Sequence, residues 1–282
     1  MIPRILLLAA FLAPAWAQTP FTVAHRGGMA RQPQNTLAAF RNAVRLGVDV
    51  LEFDLVPTRD NRLAVIHDLD VHSPLCTLPG GGAFPFGPVR ALPFDDLRRL
   101  DCGSWRNPRF PLQETSPGAK IPSFEEVLEA FPDKRIRFLV ETKMAPDGDP
   151  RFVDPGQFAS WIAREIQKHG AQDRVILQSG DYRTLDAMKR EEPRVKICLV
   201  NARRFKPDYL PLARRHQADY LMLGIADTTA EQVRELRGAG FRIVSNVIDD
   251  VDGWRKALDM GMDGLMTDDP VRLLEFVRSA NR

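Results

Sequence analysis

Two histidines, an arginine and a pair of alternating carboxylates stand close together near the start of this chain. They occur in Ala24-His25-Arg26-Gly27, Glu52-Phe53-Asp54 and His67-Asp68, all within about fifty residues. A second strand-like run, Phe138-Leu139-Val140-Glu141-Thr142-Lys143, adds a third acid and a lysine. Two imidazoles can act as general base and general acid near neutral pH. An arginine can grip a phosphate through two oxygens. Converging carboxylates repel one another unless one is protonated, they are paired with bases, or they bind a cation. An all-oxygen donor set selects a hard ion, Mg²⁺ or Ca²⁺, with Mn²⁺ also possible. The chemistry such a set supports is metal-assisted cleavage of a phosphodiester. The alternative is a buried ion network in which Lys143 and Arg26 neutralise the acids.

These residues can meet only if strands carry them to one place. Side chains alternate faces along a strand, so Glu52 and Asp54 point one way while Leu51, Phe53 and Leu55 point the other. Glu141 and Lys143 likewise share a face. From Phe21 onward, short apolar runs alternate with amphipathic stretches, the pattern of repeated βα units around a parallel sheet. Strands are predicted over 21–25, 48–56, 63–67, 136–142, 175–179, 196–201, 220–223, 242–248 and 264–267. Helices are predicted over 36–45, 124–130, 156–169, 182–190, 209–216, 230–237, 254–260 and 271–278, with Asp208, Thr229 and Asp252 placed to cap three of them. The fold class expected is α/β, a (β/α)₈ TIM barrel, which needs about 250 residues; an open doubly wound sheet is the runner-up. The strand count is one too many for a barrel, and 63–67 is the run that could pair after the Asp60-Asn61 turn.

The chain has 282 residues, 44% of them hydrophobic, and a formal net charge of +2. No basic run or aromatic-basic ladder is present, which argues against a nucleic-acid partner. Residues 1–17 carry Arg4, an apolar run from Ile5 to Ala13 and an Ala15-Trp16-Ala17 end, and read as a cleavable secretory signal. That run is shorter than the roughly 20 residues of a spanning helix, so a secreted or periplasmic location without a transmembrane span is expected. Residues 18–282 then form one barrel domain. Within it, 69–122 breaks the rhythm with Gly80-Gly81-Gly82, several prolines and Trp105, and reads as an insertion that covers the C-terminal face of the barrel. Its Ala83-Phe84-Pro85-Phe86 stretch could touch lipid or pack over the mouth. Of three cysteines, Cys76 and Cys102 lie in this segment and are the expected pair if a disulfide forms; Cys198 sits in an apolar run and reads as a buried small hydrophobe.

In the order of its motifs the chain resembles the glycerophosphodiester phosphodiesterase family. The matching residues are His25-Arg26-Gly27, Pro33-Gln34-Asn35-Thr36, Gly47-Val48-Asp49, Glu52-Phe53-Asp54, Thr58-Arg59-Asp60, His67-Asp68, Ile121-Pro122-Ser123-Phe124, Glu141-Thr142-Lys143, Gln178-Ser179, Gly261-Met262-Asp263-Gly264 and Thr267-Asp268-Asp269-Pro270. The resemblance implies a TIM barrel that hydrolyses glycerophosphodiesters, small-molecule substrates, to glycerol phosphate and an alcohol. It further implies that Glu52, Asp54 and Glu141 hold a divalent metal, that His25 and His67 form the acid–base pair in an order left open, and that Arg26 and Lys143 bind substrate phosphate. Three departures stand out. Gln34 replaces the usual Glu; Asp70-Val71-His72-Ser73 replaces Leu-Asp-Arg-Thr, with His72 read as a surface loop residue; and Asn246-Val247-Ile248-Asp249 replaces Trp-Thr-Val-Asn, removing an aromatic from the pocket mouth. Two other activities fit the same residues: a phospholipase D-like barrel that closes a cyclic phosphate, and a non-catalytic barrel that binds a phosphate ligand.

Overall fold

The computed structural model describes residues 19–80, 84, 87–200 and 208–280. The signal expected at 1–17 lies outside the described residues, as do Ala83, Pro85 and Phe86; Phe84 is buried in the cover. The chain runs β1 (Phe21–Ala24), α1 (Leu37–Leu46), β2 (Val50–Pro57), β3 (Leu63–Val65), β4 (Asp70–Val71), β5 (Gly87–Pro88), α2 (Phe94–Leu97), α3 (Phe124–Ala130) and β6 (Arg137–Thr142). It continues α4 (Pro155–Lys168), β7 (Val175–Ser179), α5 (Tyr182–Glu191), β8 (Lys196–Leu199), α6 (Tyr209–Arg215), β9 (Tyr220–Leu223), α7 (Ala230–Gly238), β10 (Arg242–Val247), α8 (Val251–Asp259), β11 (Gly264–Thr267) and α9 (Pro270–Ala280).

Strands β1, β2, β6, β7, β8, β9, β10 and β11 pair in parallel, and β11 returns to β1 to close the barrel. The surplus ninth run is β3, which pairs antiparallel with the far end of β2, Leu55 opposite Val65 and Pro57 opposite Leu63. His67 therefore does not end a barrel strand. A hairpin rising above the rim carries the chain back down to Asp54, whose carbonyl accepts the Ile66 N–H at 3.1 Å.

A parallel sheet covered on both faces needs apolar residues on both, which is why the strands read as nearly continuous hydrophobic runs. The inward set, with Val23, Val50, Leu139, Ile176, Cys198, Met222, Val244 and Met266, fills the barrel. The outward set, with Leu51, Phe53, Leu55, Phe138, Val140 and Leu177, packs against the helices. Continuing the inward parity toward the strand ends reaches His25, Glu52, Asp54, Glu141, Gln178 and Asp268. Register does the rest: Asp54 lies opposite Glu141, and Glu141 opposite Gln178. Polar side chains thus collect at the C-terminal mouth above an apolar floor, where sites of this fold lie.

Two of the expected caps are corrected. Asp252 lies inside the first turn of α8, three residues earlier than predicted, and Asp250 caps it by accepting the Gly253 N–H. Asp208 stands at the start of α6 without a side-chain cap bond, whereas Thr229 caps α7 as expected.

Residues of the 69–122 segment form a hydrophobic cluster separate from the barrel's, in which Val71, Phe84, Val89, Phe94, Leu97 and Leu100 pack with Ile66 and the Cys76–Cys102 disulfide. Cys198 is a buried free thiol in the barrel, and burial pushes its ionisation up. The bridge spans 26 residues of a segment poor in regular structure. Replacing both cysteines with Ala is expected to cost about 2–4 kcal/mol of unfolding free energy. An unchanged chemical-denaturation curve would show that the cover holds without it.

Candidate active site

After β1 the backbone makes a turn that only special residues allow. Arg26, Gly27 and Gly28 take φ of 49°, 83° and 87°, in the left-handed region. A Cβ on Gly27 would stand 2.8 Å from Ala39 Cβ and from the Phe40 ring, so glycine is required by space as well as by torsion. The turn aims the Arg26 N–H at Glu52 Oε2, 2.8 Å away, and leaves His25 on the inward parity of β1.

The three expected metal acids meet. Glu52, Asp54 and Glu141 each offer a carboxylate oxygen within 4.8 Å of the others. Lys143 Nζ lies 3.0 Å from Asp54 Oδ1 and 2.8 Å from Glu141 Oε1. Arg26 Nε is 3.6 Å from Asp54 Oδ2, while its Nη1 donates to Gln34 Oε1 at 2.8 Å. The amide of Gln34 thus keeps the support of Arg26 that a carboxylate would give, without the charge. Asn35 Nδ2 donates to Asp54 Oδ2 at 2.9 Å, and Gln178 Nε2 to Glu52 Oε1 at 3.0 Å.

Both histidines are oriented by aspartates. His25 Nδ1 is 2.6 Å from Asp268 Oδ1, and His67 Nδ1 is 2.6 Å from Asp68 Oδ1. An ionised carboxylate only accepts, so each ring presents its Nδ1–H and keeps Nε2 for other work. Asp249, from the segment that departs from the family pattern, accepts the Asp268 N–H at 2.8 Å and so holds the partner of His25. Asp268, Gln178, Asn35 and Asp249 join the site without a role expected from the sequence. The first two lie on inward parity from Met266 and Ile176, a signal present in the strands; the other two are loop residues, which parity does not reach.

The electrostatics show a site short of positive charge. Burial, then the charge of Asp54, pushes the Glu52 carboxyl up to about 7, against the pull of His25. Burial would also raise Asp54, but Lys143 and Arg26 outweigh it and hold that group at about 2. Burial works against the Lys143 ammonium, and the Asp54 and Glu141 charges overcome it, so its ionisation is raised. For His25 the same contest, burial against Glu52 and Asp268, also ends in a raised value. Lys143 lies between Asp54 and Glu141 and Arg26 beside Asp54, and Glu52, pushed up to about 7, is only partly ionised at neutral pH.

A stability prediction follows from these directions. Glu52 binds its proton more tightly folded than unfolded, so metal-free protein loses stability as pH rises from the ordinary 4.5 to about 7, on the order of 3 kcal/mol. Asp54 acts oppositely at lower pH: its contribution is complete above its ordinary 3.8 and is lost as pH falls toward about 2. The melting temperature of chelator-treated protein should therefore fall between about pH 5 and 7.5, and Glu52→Gln should flatten that fall. Identical profiles for the two proteins would contradict the assignment.

Among the described residues, eight buried side-chain atoms accept or donate no hydrogen bond, and four of them line this site: Asn35 Oδ1 and Gln178 Oε1, which have no charged partner either, and Arg26 Nε and Asp54 Oδ1, which are held by ion pairs alone. Unsatisfied buried polar atoms are rare in folded proteins, and their clustering marks a place built for something else to enter. A second group that could hold a metal, Glu125, Glu129 and His169, sits on helix surfaces of α3 and the end of α4, where Lys168 pairs with Glu125.

Comparison with known proteins agrees with this geometry. The family model for the glycerophosphoryl diester phosphodiesterase family matches residues 25–272. A glycerophosphodiester phosphodiesterase of Caldanaerobacter subterraneus subsp. tengcongensis is 29% identical over 257 residues, 91% of this chain and 97% of that protein. The crystal structure of a candidate glycerophosphoryl diester phosphodiesterase from Silicibacter pomeroyi superposes with a TM-score of 0.86 at 21% identity, covering 94% of this chain and 95% of that one. An Oleispira antarctica phosphodiesterase, solved in complex with the product sn-glycerol-3-phosphate, gives a TM-score of 0.77 at 20% identity, over 94% of this chain and 100% of its own. The chain belongs to the glycerophosphoryl diester phosphodiesterase family and is, with it, a phosphoric diester hydrolase on a TIM barrel.

Proposed function

We propose that this protein is an exported, divalent-metal-dependent enzyme that hydrolyses glycerophosphodiesters to glycerol phosphate and an alcohol. The observation that carries the reading is the set of three mutually close carboxylates, ringed by orphaned polar atoms and flanked by two aspartate-oriented histidines. The donor set fits a hard dication: the oxygens come from three mutually close acids, and burial with the Asp54 charge raises the Glu52 carboxyl when no ion is present. Glu52, Asp54 and Glu141 would hold the ion, with Mg²⁺, Ca²⁺ and Mn²⁺ the candidates. Bound there, it supplies positive charge against the phosphoryl oxygens as the transition state forms.

The remaining work falls to the protein. Arg26 and Lys143 bind the non-bridging oxygens and orient the diester. One imidazole of the His25 and His67 pair takes a proton from the attacking water as the new P–O bond forms. The other gives a proton to the alcohol oxygen as the old P–O bond breaks. The Oleispira antarctica neighbour binds sn-glycerol-3-phosphate, the product this reaction would leave. No helix among the described residues is long and apolar enough to cross a membrane. A secreted or periplasmic location is supported by the signal-like residues 1–17 and by a disulfide, which persists in oxidising compartments.

Product analysis by phosphorus NMR on a panel of glycerophosphodiesters tests the reaction. Hydrolysis gives an open phosphomonoester and an equal amount of free alcohol. A cyclic phosphate would replace this reading with attack by a substrate hydroxyl.

A further inference from the structure

The two histidine–aspartate pairs are not built alike. Asp268 is walled in, its side chain 2% exposed, its N–H is held by Asp249, and Arg109 Nη2 lies 3.9 Å from the oxygen that His25 does not meet. Asp68 is 38% exposed, on the short connection between β3, which ends at Val65, and β4, which begins at Asp70. A carboxylate held through one oxygen at the surface can turn about its broad, two-fold terminal torsion and be solvated. Something else must hold its plane if His67 is to be aimed.

That second hold is His72. Its Nε2 lies 2.9 Å from Asp68 Oδ2, so the two oxygens of Asp68 accept from two different imidazoles, His67 on one side and His72 on the other. The hydrogen bond from His67 and then that from His72 keep Asp68 well below the usual carboxylate range, so it stays an acceptor for both. The expectation that His72 is a surface loop residue holds for its exposure, 53%, but not for its contacts.

The loop that carries His72 is itself pinned. The His72 carbonyl accepts the Cys76 N–H at 3.2 Å, and Cys76 is bonded to Cys102. On the other side, Asp70 and Val71 pair antiparallel with Pro88 and Gly87, and Asp70 Oδ2 accepts from Arg151 Nη1 at 2.5 Å. These ties fix the backbone on both sides of the ring, at a position where the family pattern has an arginine and this chain has an imidazole.

We infer that His72 is a positioning residue: by clamping the second oxygen of Asp68 it fixes the orientation and the Nδ1–H tautomer of His67. The inference rests on the proposed acid–base role of His67. His72 does not touch the reacting atoms, and its effect passes wholly through Asp68.

The test is steady-state kinetics on a glycerophosphodiester with the full chain and saturating divalent ion. His72→Ala should lower kcat about five- to tenfold, the loss expected for one charge-assisted hydrogen bond at a partly exposed site, with KM within about twofold and melting unchanged. His72→Gln, whose amide N–H can also donate to Asp68, should recover most of the loss. In an Asp68→Asn background, His72→Ala should cost nothing more, because the clamp has no carboxylate to hold. Nitrogen chemical shifts of the His67 ring give a readout that needs no turnover: one tautomer in the native protein, a mixture in His72→Ala. A native kcat and a single tautomer in His72→Ala, or a full additional loss in the Asp68→Asn background, overturn the inference. If His67→Ala is inactive in that case, the acid–base reading survives it; native turnover by His67→Ala would sink both.

Discussion

Replacing His25 with Ala is expected to lower kcat by about 10²- to 10⁴-fold, with melting temperature nearly unchanged. The size follows from position. His25 sits on the inward parity of β1 at the barrel mouth, its side chain 14% exposed, and among the described residues no other imidazole is paired to Asp268. A water that diffuses into the gap can carry a proton but cannot be held in one orientation by a carboxylate 2.6 Å from Nδ1. Asp268→Asn should reproduce a large share of the loss without touching substrate, because an amide can present its N–H to Nδ1 and stabilise the wrong tautomer. The expected signature is a fall in kcat with KM little changed, since neither residue is placed to bind the ground-state diester. A loss confined to KM would move His25 from proton transfer to substrate binding.

The second large effect concerns the acids, and their signs differ. Asp54→Asn removes the carboxylate shared by Lys143 and Arg26, leaving Arg26 buried beside a neutral amide and Lys143 with Glu141 as its one remaining partner. It should destabilise the metal-free protein by about 3–5 kcal/mol and abolish the response to divalent ions. Glu52→Gln removes the acid that burial and Asp54 have already pushed up to about 7. It should leave metal-free protein at neutral pH as stable as the native chain or more so, while lowering divalent-ion affinity and turnover by at least about tenfold. Glu141→Gln belongs with Glu52 in its metal response, and it frees Lys143 from one of its two partners. Divalent titrations followed by melting temperature separate these cases. Equal destabilisation by Asp54→Asn and Glu52→Gln would mean that the charge balance described here is wrong.

The reasons some of this was legible in the sequence and some was not are physical. Strand parity is a strict two-residue rule, so Glu52, Asp54, Glu141 and Lys143 could be assigned to one face without knowing the fold. The same count from Met266 and Ile176 reaches Asp268 and Gln178, which a complete application of the rule would have found. His67 follows a run predicted as a strand, but its position comes from the antiparallel pairing of that run with β2 rather than from barrel parity. It is brought to Asp54 by the antiparallel return of β3, and a three-residue strand carries no sign of its direction. Asn35, Asp249 and the Asp68–His72 contact depend on loop conformations set by distant packing, including a disulfide and a left-handed Asn35, φ 55°. Local sequence does not determine such contacts. The cap of α8 was misplaced for a related reason: Asp250 and Asp252 are both competent caps, and packing of the buried Gly253 and Trp254 selects the first.

The central claim is that three acids at the barrel mouth hold a divalent ion with which His25 and His67 hydrolyse a glycerophosphodiester. The most direct test strips the protein of metal and measures turnover on a glycerophosphodiester panel as Mg²⁺, Ca²⁺ or Mn²⁺ is restored singly, with His25→Ala alongside. The account predicts no alcohol release without an ion, release with at least one of the three, and none above background from His25→Ala. Full turnover by the stripped protein in the presence of a chelator, or an ion-dependent rate that His25→Ala leaves intact, would contradict it.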